Sequence, residues 1–225
     1  MRLYYLTSTK WARVAVSDKR LKLSLFPSVN DPFELLGGAL GDRRTRRIFQ
    51  HVKQTLGERY GLICLSETWR SPVMWAHYGD RHAGVALGFD VPEIAAHPVD
   101  YAGKKLKDLL GDKPSLGDLN QETLMKLMST KAKDWAYERE RRVFETLKTA
   151  PCDAAGNRFL PFNDDYLALR EVLVGASSDW AIADAAKAVE WTKQSVRVAR
   201  VRPAFDRFEM CIQQREGVTR VLPKR

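Results

Sequence analysis

The feature that most limits the fold is a series of short apolar runs with no regular alternation of long helices between them. Leu3–Leu6, Lys22–Leu25, Leu62–Ser66, Val85–Phe89, Arg142–Leu147, Arg158–Phe162 and Glu171–Val174 each read as a brief strand. Val196–Val201 and Phe208–Gln213 alternate apolar and polar residues, the period of half-buried strands, and predict a hairpin turning near Pro203. Helical signals are fewer. One helix starts near Ser8, whose hydroxyl can cap its first turn, a short helical turn surrounds Met74–Tyr78, and Leu119–Tyr137 has helical periodicity. Another helix is expected from a cap at Asp179 to about Lys193, and Ile48, Val52 and Leu56 share one face of a further helix. A doubly wound parallel sheet needs strands alternating with helices, so this order predicts an α+β fold. The expectation is a single domain over residues 1–225 with a mixed, split sheet core, peripheral helices and an exposed insertion around 103–118.

At 225 residues and 44% hydrophobic, the chain should bury roughly 70–75% of its unfolded surface, which excludes a disordered or fibrous protein. No apolar run reaches the length of a membrane helix and the N-terminus lacks a signal-peptide core, so no membrane association and a cytoplasmic location are expected. Cys64, Cys152 and Cys211 are odd in number and lack CxxC spacing, which argues against a disulfide framework and a zinc site. The formal charge of +9 favours anionic partners. It is spread along the chain, with six basic residues against Asp18 in 1–30, six against Asp42 and Glu58 in 42–59, and eight against Asp206, Glu209 and Glu216 in 195–225. Arg43, Arg44, Arg46 and Arg47 open an amphipathic helix; the first reading is a solvated helix face, and the functional one is a patch that contacts nucleic-acid phosphates.

No GxxxxGK(S/T), GxGxxG, GxSxG or HExxH occurs, which disfavours a P-loop ATPase, a standard dinucleotide fold, an α/β-hydrolase and a zincin. Three blocks remain as candidates. Met74–Asp90 crowds His77, His82, Trp75, Tyr78, Asp80 and Arg81 into a helix–turn–strand passage, a common pocket wall. His77 and His82 are five apart, which is not the spacing of a helical zinc pair, so no metal site is predicted. Glu138 and Glu140 lie just before an apolar strand; extended, they point to one side and can stabilise a developing cation or act as a base, unless they form a solvated ladder with the neighbouring arginines. Tyr5, Thr7, Ser8, Ser24, Asn30 and Asp31 gather hydroxyl, amide and carboxylate groups near strand ends, where capping and turn duties compete with binding.

Taken in order, LYYLTS (3–8), Leu23-Ser24, NDPFE (30–34), MWAHY (74–78), HAGVALGFD (82–90), WAYERERR (135–142) and EVLVG (171–175) resemble the blocks of a bacterial family of unknown function. That resemblance implies a setting of phage defence or toxin-like systems. The chain also resembles the ADP-ribosyltransferases: a first strand ending in a polar residue and Thr-Ser, a second strand with Ser, and a late Glu-x-Glu before a strand. This second resemblance implies a split mixed sheet holding NAD, as substrate, in its cleft. Carried over, Tyr5 and Thr7 lie by the nicotinamide ribose, Ser24 marks the second strand, and Tyr78, with His77 beside it, faces nicotinamide. Glu140 holds the ribose hydroxyl and supports the oxocarbenium-like transition state, and Glu138 orients the acceptor. The chain departs from that pattern at Tyr5, where those enzymes carry His or Arg, and in having one Ser24 for a Ser-Thr-Ser block.

The function expected is NAD-dependent ADP-ribosyl transfer to a macromolecular acceptor, with nucleic acid as the candidate acceptor and an antitoxin or other protein as a further candidate partner. The alternative is a non-catalytic nucleic-acid- or partner-binding protein using Arg43–Arg47 and the C-terminal arginines. A third reading is a metal-dependent nuclease built on Asp31, Glu34, His77 and His82.

Overall fold

The computed structural model describes residues 1–31, 35, 43–102 and 120–223, so the expected insertion at 103–118 and Pro32–Glu34 lie outside the described residues. β1 (Arg2–Thr7), α1 (Thr9–Asp18), β2 (Arg20–Lys22) and β3 (Ser24–Leu25) come first. They are followed by α2 (Arg43–Arg59), β4 (Tyr60–Ser66), α3 (Pro72–His77) and β5 (Val85–Asp90). The short β6 (His97–Pro98) and β7 (Asp100–Ala102) precede α4 (Gln121–Met128), β8 (Thr130–Ala132) and β9 (Glu140–Thr146). Then come β10 (Phe159–Pro161), β11 (Ala168–Val174), α5 (Ile182–Ala188), β12 (Val196–Pro203), β13 (Met210–Ile212) and β14 (Val218–Val221).

The main sheet runs β13-β12-β11-β5-β1-β4-β9-β6, with β14 on β12 and β3 on β4. Only β11 and β12 pair in parallel within it, so the fold is α+β with a mixed sheet, as the irregular strand spacing predicts. Alternation along the strands sorts the core onto two faces. Leu3, Leu87, Val143, Val172 and Val198 pack on one face with Ala12 and Val16 of α1 and Ala185 of α5. The other face carries two separate clusters: Leu6, Trp69, Met74, Trp75 and Met210 in one, and Phe49, Val52 and Leu56 of α2 with Leu62, Leu127 and Met128 in the other.

Ser8 caps α1 by accepting from the Trp11 N–H, as expected. Two helix boundaries differ from the sequence reading. The periodic stretch 119–137 is helical only over Gln121–Met128, because the chain then enters β8, which pairs with β7, and a 3-10 turn over Lys133–Glu138. α5 begins after Ala181 rather than at Asp179, which instead bonds Arg13 at 3.3 Å, and it stops at Ala188. Between α3 and β5 the chain turns through Asp80, Arg81 and His82, all with φ between 48° and 70°, an uncommon left-handed path for residues with side chains. Gly84 and Gly175 let this turn seat on the sheet: a Cβ on Gly84 lies 2.2 Å from the Thr7 carbonyl oxygen, and one on Gly175 lies 2.3 Å from that of His82.

Candidate functional site

β1 pairs with β5 through six residue pairs and with β4 through one, Tyr4 opposite Ser66. Continuing that register sets Tyr5 opposite Leu65 and Leu6 opposite Cys64. The ladder does not continue; those four residues instead line a cavity of about 230 Å³. The sheet is therefore a continuous path of strands that opens locally between β1 and β4. Ser24, Asn30, Met74, Tyr78, Lys131, Glu138 and Glu140 complete much of the wall, which draws on both apolar clusters of that face.

Glu138 and Glu140 reach this wall by a route other than an extended chain. Glu138 ends the 3-10 turn, Arg139 takes a left-handed conformation at φ 46°, and Glu140 opens β9. The Glu140 N–H donates to the Tyr101 hydroxyl at 2.6 Å, and the Ser66 hydroxyl donates to the Glu138 carbonyl at 2.6 Å, which pins both ends of the turn. Both carboxylates are buried, at 3% and 5% exposure, so they are not a solvated ladder.

One ammonium joins them: Lys131 Nζ donates to Glu138 Oε2 at 2.5 Å and to Glu140 Oε2 at 3.3 Å. Arg142, fully buried, donates Nε to Glu140 Oε1 at 2.9 Å and a terminal nitrogen to the Met128 carbonyl at the end of α4 at 2.6 Å. The Tyr78 hydroxyl donates to Glu138 Oε1 and accepts from the Asn30 amide. Two carboxylates and two cations thus form a balanced, hydrogen-bonded network, the condition under which buried charges are tolerable.

The two glutamates differ in acidity. Burial alone raises the pKa of Glu140, but Arg142 and Lys131, with hydrogen bonds from Arg142 and Cys64, outweigh it and hold the carboxyl at about 2. For Glu138 burial wins over the hydrogen bond and charge of Lys131, and its pKa rises above the usual value. Burial and the bond to Glu138 push the Tyr78 phenol far up, and burial pushes Tyr4 and Tyr5 up to about 12, so all three are neutral hydroxyls. The Cys64 thiol, raised by burial and then by Glu140, also stays protonated. The site pairs an ionised carboxylate with a more basic one in a wall that carries three phenols.

This difference shows in acid. Because Glu140 is more acidic in the fold than the ordinary value of 4.5, its stabilisation is complete above about pH 4.5 and is lost as pH falls toward 2. The loss amounts to about 3 kcal/mol, partly offset by Glu138, whose raised pKa makes protonation favour the fold. Urea unfolding at pH 5 and pH 3 should show a steeper loss for wild type than for Glu140→Gln; equal losses in the two proteins count against the charge network.

Of the residues singled out by sequence, Tyr5, Ser24, Tyr78, Glu138 and Glu140 come together on one cavity. Thr7 lies further along β1, on a separate cavity of about 530 Å³ with Trp11, Arg20, Lys22 and Phe159. His77 is exposed and shares a 2.9 Å hydrogen bond with the Tyr137 hydroxyl, outside the cavity wall. Arg43, Arg44, Arg46 and Arg47 are exposed at the start of α2, whose first turn has no acidic residue. Asp31 is buried, Glu34 lies outside the described residues, and among the described residues no group of three His, Cys, Asp or Glu side chains is arranged to hold a metal ion.

Sequence reasoning missed Lys131, Arg142, Asn30 as a partner of Tyr78, and Tyr101. For Arg142 a signal exists: on strand period it shares a face with Glu140. For Lys131 there is none, because β8 joins the site through pairing with β7.

Residues 74–143, just under a third of the chain, match the family model of a protein of unknown function, DUF2971. The matched segment holds Tyr78, Lys131, Glu138, Glu140 and Arg142. No curated protein and no solved structure matches the chain. No helix among the described residues is long and apolar enough to cross a membrane.

Proposed function

We propose that the protein consumes NAD as an ADP-ribosyltransferase-like enzyme, with Glu140 as the main catalytic carboxylate and Glu138 as the acceptor's base. The observation that carries this reading is the meeting of both carboxylates with Tyr5, Ser24 and Tyr78 in the opening between β1 and β4. About 230 Å³ is below the range of roughly 300–1,000 Å³ for drug-sized ligands, so it suits one ring and a sugar, with the rest of the dinucleotide outside.

In this reading the nicotinamide–ribose bond breaks and its electron pair leaves with nicotinamide. The ribose carbon becomes electron-poor, and ionised Glu140 stabilises it in a site that is poor in water. A nucleophilic oxygen or nitrogen of the acceptor bonds to that carbon, and its proton passes to Glu138, the more basic of the pair. Nucleic acid as acceptor is supported by the +9 charge and the exposed Arg43, Arg44, Arg46 and Arg47. Those arginines equally favour the second reading, a binding module without catalysis.

The test is nicotinamide release from NAD by the full chain, with and without RNA, DNA and lysate, alongside thermal unfolding in NAD. Saturation at about a hundredfold over the dissociation constant should stabilise by about 2.7 kcal/mol. If folded protein shows no release and no thermal shift, this reading is removed and the binding module remains.

A further inference from the structure

The hairpin joining β12 to β13 ends in a tip where Phe205 and Phe208 are 91% and 99% exposed. Rings so exposed gain nothing from burial, so folding does not account for them. Nor is the tip slack. Pro203 pairs with Met210, the Ala204 N–H donates to the Glu209 carbonyl at 2.8 Å, and the Glu209 N–H donates to that of Arg207 at 2.9 Å. Met210 is fully buried and its N–H donates to the Arg70 carbonyl at 2.8 Å, rooting the hairpin in the core beside Trp69. Both rings are therefore carried on a fixed backbone, which lowers the entropy cost of using them.

The charges around them are specific. The Arg202 guanidinium lies 4.0 Å from the Phe205 ring centroid. Arg207 pairs with Asp206 at 3.0 Å and with Glu209 at 3.2 Å, and Arg70 lies 3.8 Å from Glu209. Arg207 and, from outside the tip, Arg70 together match both acids, which leaves Arg202 as surplus positive charge beside an aromatic ring.

We infer that this tip binds single-stranded nucleic acid, with Phe205 and Phe208 stacking on unpaired bases and Arg202 near the phosphates. Every base offers a π-face, so two exposed rings beside a cation make a sequence-tolerant platform. A duplex keeps its base faces stacked and offers the rings nothing. A membrane surface fits less well, because sinking the rings also drags Asp206 and Glu209 out of water, whereas stacking on bases leaves both acids hydrated. The inference goes beyond the cleft chemistry and requires none of it.

The test uses the full chain and a fluorescein-labelled oligothymidylate, followed by anisotropy at low and physiological salt without NAD. Binding should weaken as salt rises. Phe205→Ala with Phe208→Ala should weaken it by about tenfold or more with unchanged thermal unfolding, and Phe205→Tyr with Phe208→Tyr should retain it. Anionic phosphatidylserine vesicles are run in parallel. The inference is overturned if wild type does not bind the oligonucleotide, if the double alanine variant binds it equally, or if the rings matter only for vesicles. Nicotinamide release from NAD alone, measured on the same variants, should not change, so failure here is distinct from failure of the cleft reading.

Discussion

Arg142→Ala should lower the unfolding free energy by about 3–5 kcal/mol in urea denaturation, the largest stability effect expected of a single charged residue in this chain. Arg142 is fully buried, and its removal leaves Glu140 with one cation, Lys131, in place of two and takes a donor from the Met128 carbonyl. A domain of this kind is stable by about 5–15 kcal/mol, so the loss consumes a large share of that. Arg141→Ala is the internal comparison. Its guanidinium is a quarter exposed and pairs with Glu67 at 2.8 Å near the surface, a bond worth at most about 1 kcal/mol. Similar losses for the two neighbours contradict the assignment of Arg142 to a buried network.

Glu140→Gln should reduce nicotinamide release by about a hundredfold to a thousandfold, the scale seen when one group that stabilises transition-state charge is removed. Glutamine keeps an oxygen to accept from Arg142 Nε, so a folded protein is expected, with NAD still producing a thermal shift. Glu138→Gln separates the roles. Release to water should fall less than in Glu140→Gln, while transfer to an added acceptor should fall more, because Glu138 is the more basic carboxylate. Undiminished release by a natively folded Glu140→Gln protein removes Glu140 from the chemistry.

Much of the fold was legible because short apolar runs report their own structure. Leu62–Ser66 and Val85–Phe89 are strands almost to the residue, and Ser8 caps α1 as its hydroxyl predicts. The hairpin near Pro203 also follows from alternation alone. β14 at Val218–Val221 was not legible, since it is exposed along most of its length and is held as a strand by pairing with β12. The early end of α4 was hidden for a similar reason: Thr130–Ala132 has no strand signal of its own and becomes one only against Asp100–Ala102.

The same division runs through the site. By itself the sequence determined the local chemistry: which segments are strands, and that hydroxyls, phenols and two glutamates stand at their ends. Only the tertiary structure decided that β1 and β4 part after one pair, which turns five of those residues into the wall of one cavity and leaves Thr7 and His77 outside it. It also decided which of Glu138 and Glu140 is the more acidic. Acidity depends on how completely a carboxylate leaves water and which cations meet it there, and Lys131 is brought to this pair by the pairing of β8 with β7. Local pattern is a property of neighbours along the chain, whereas burial and pairing belong to neighbours in space.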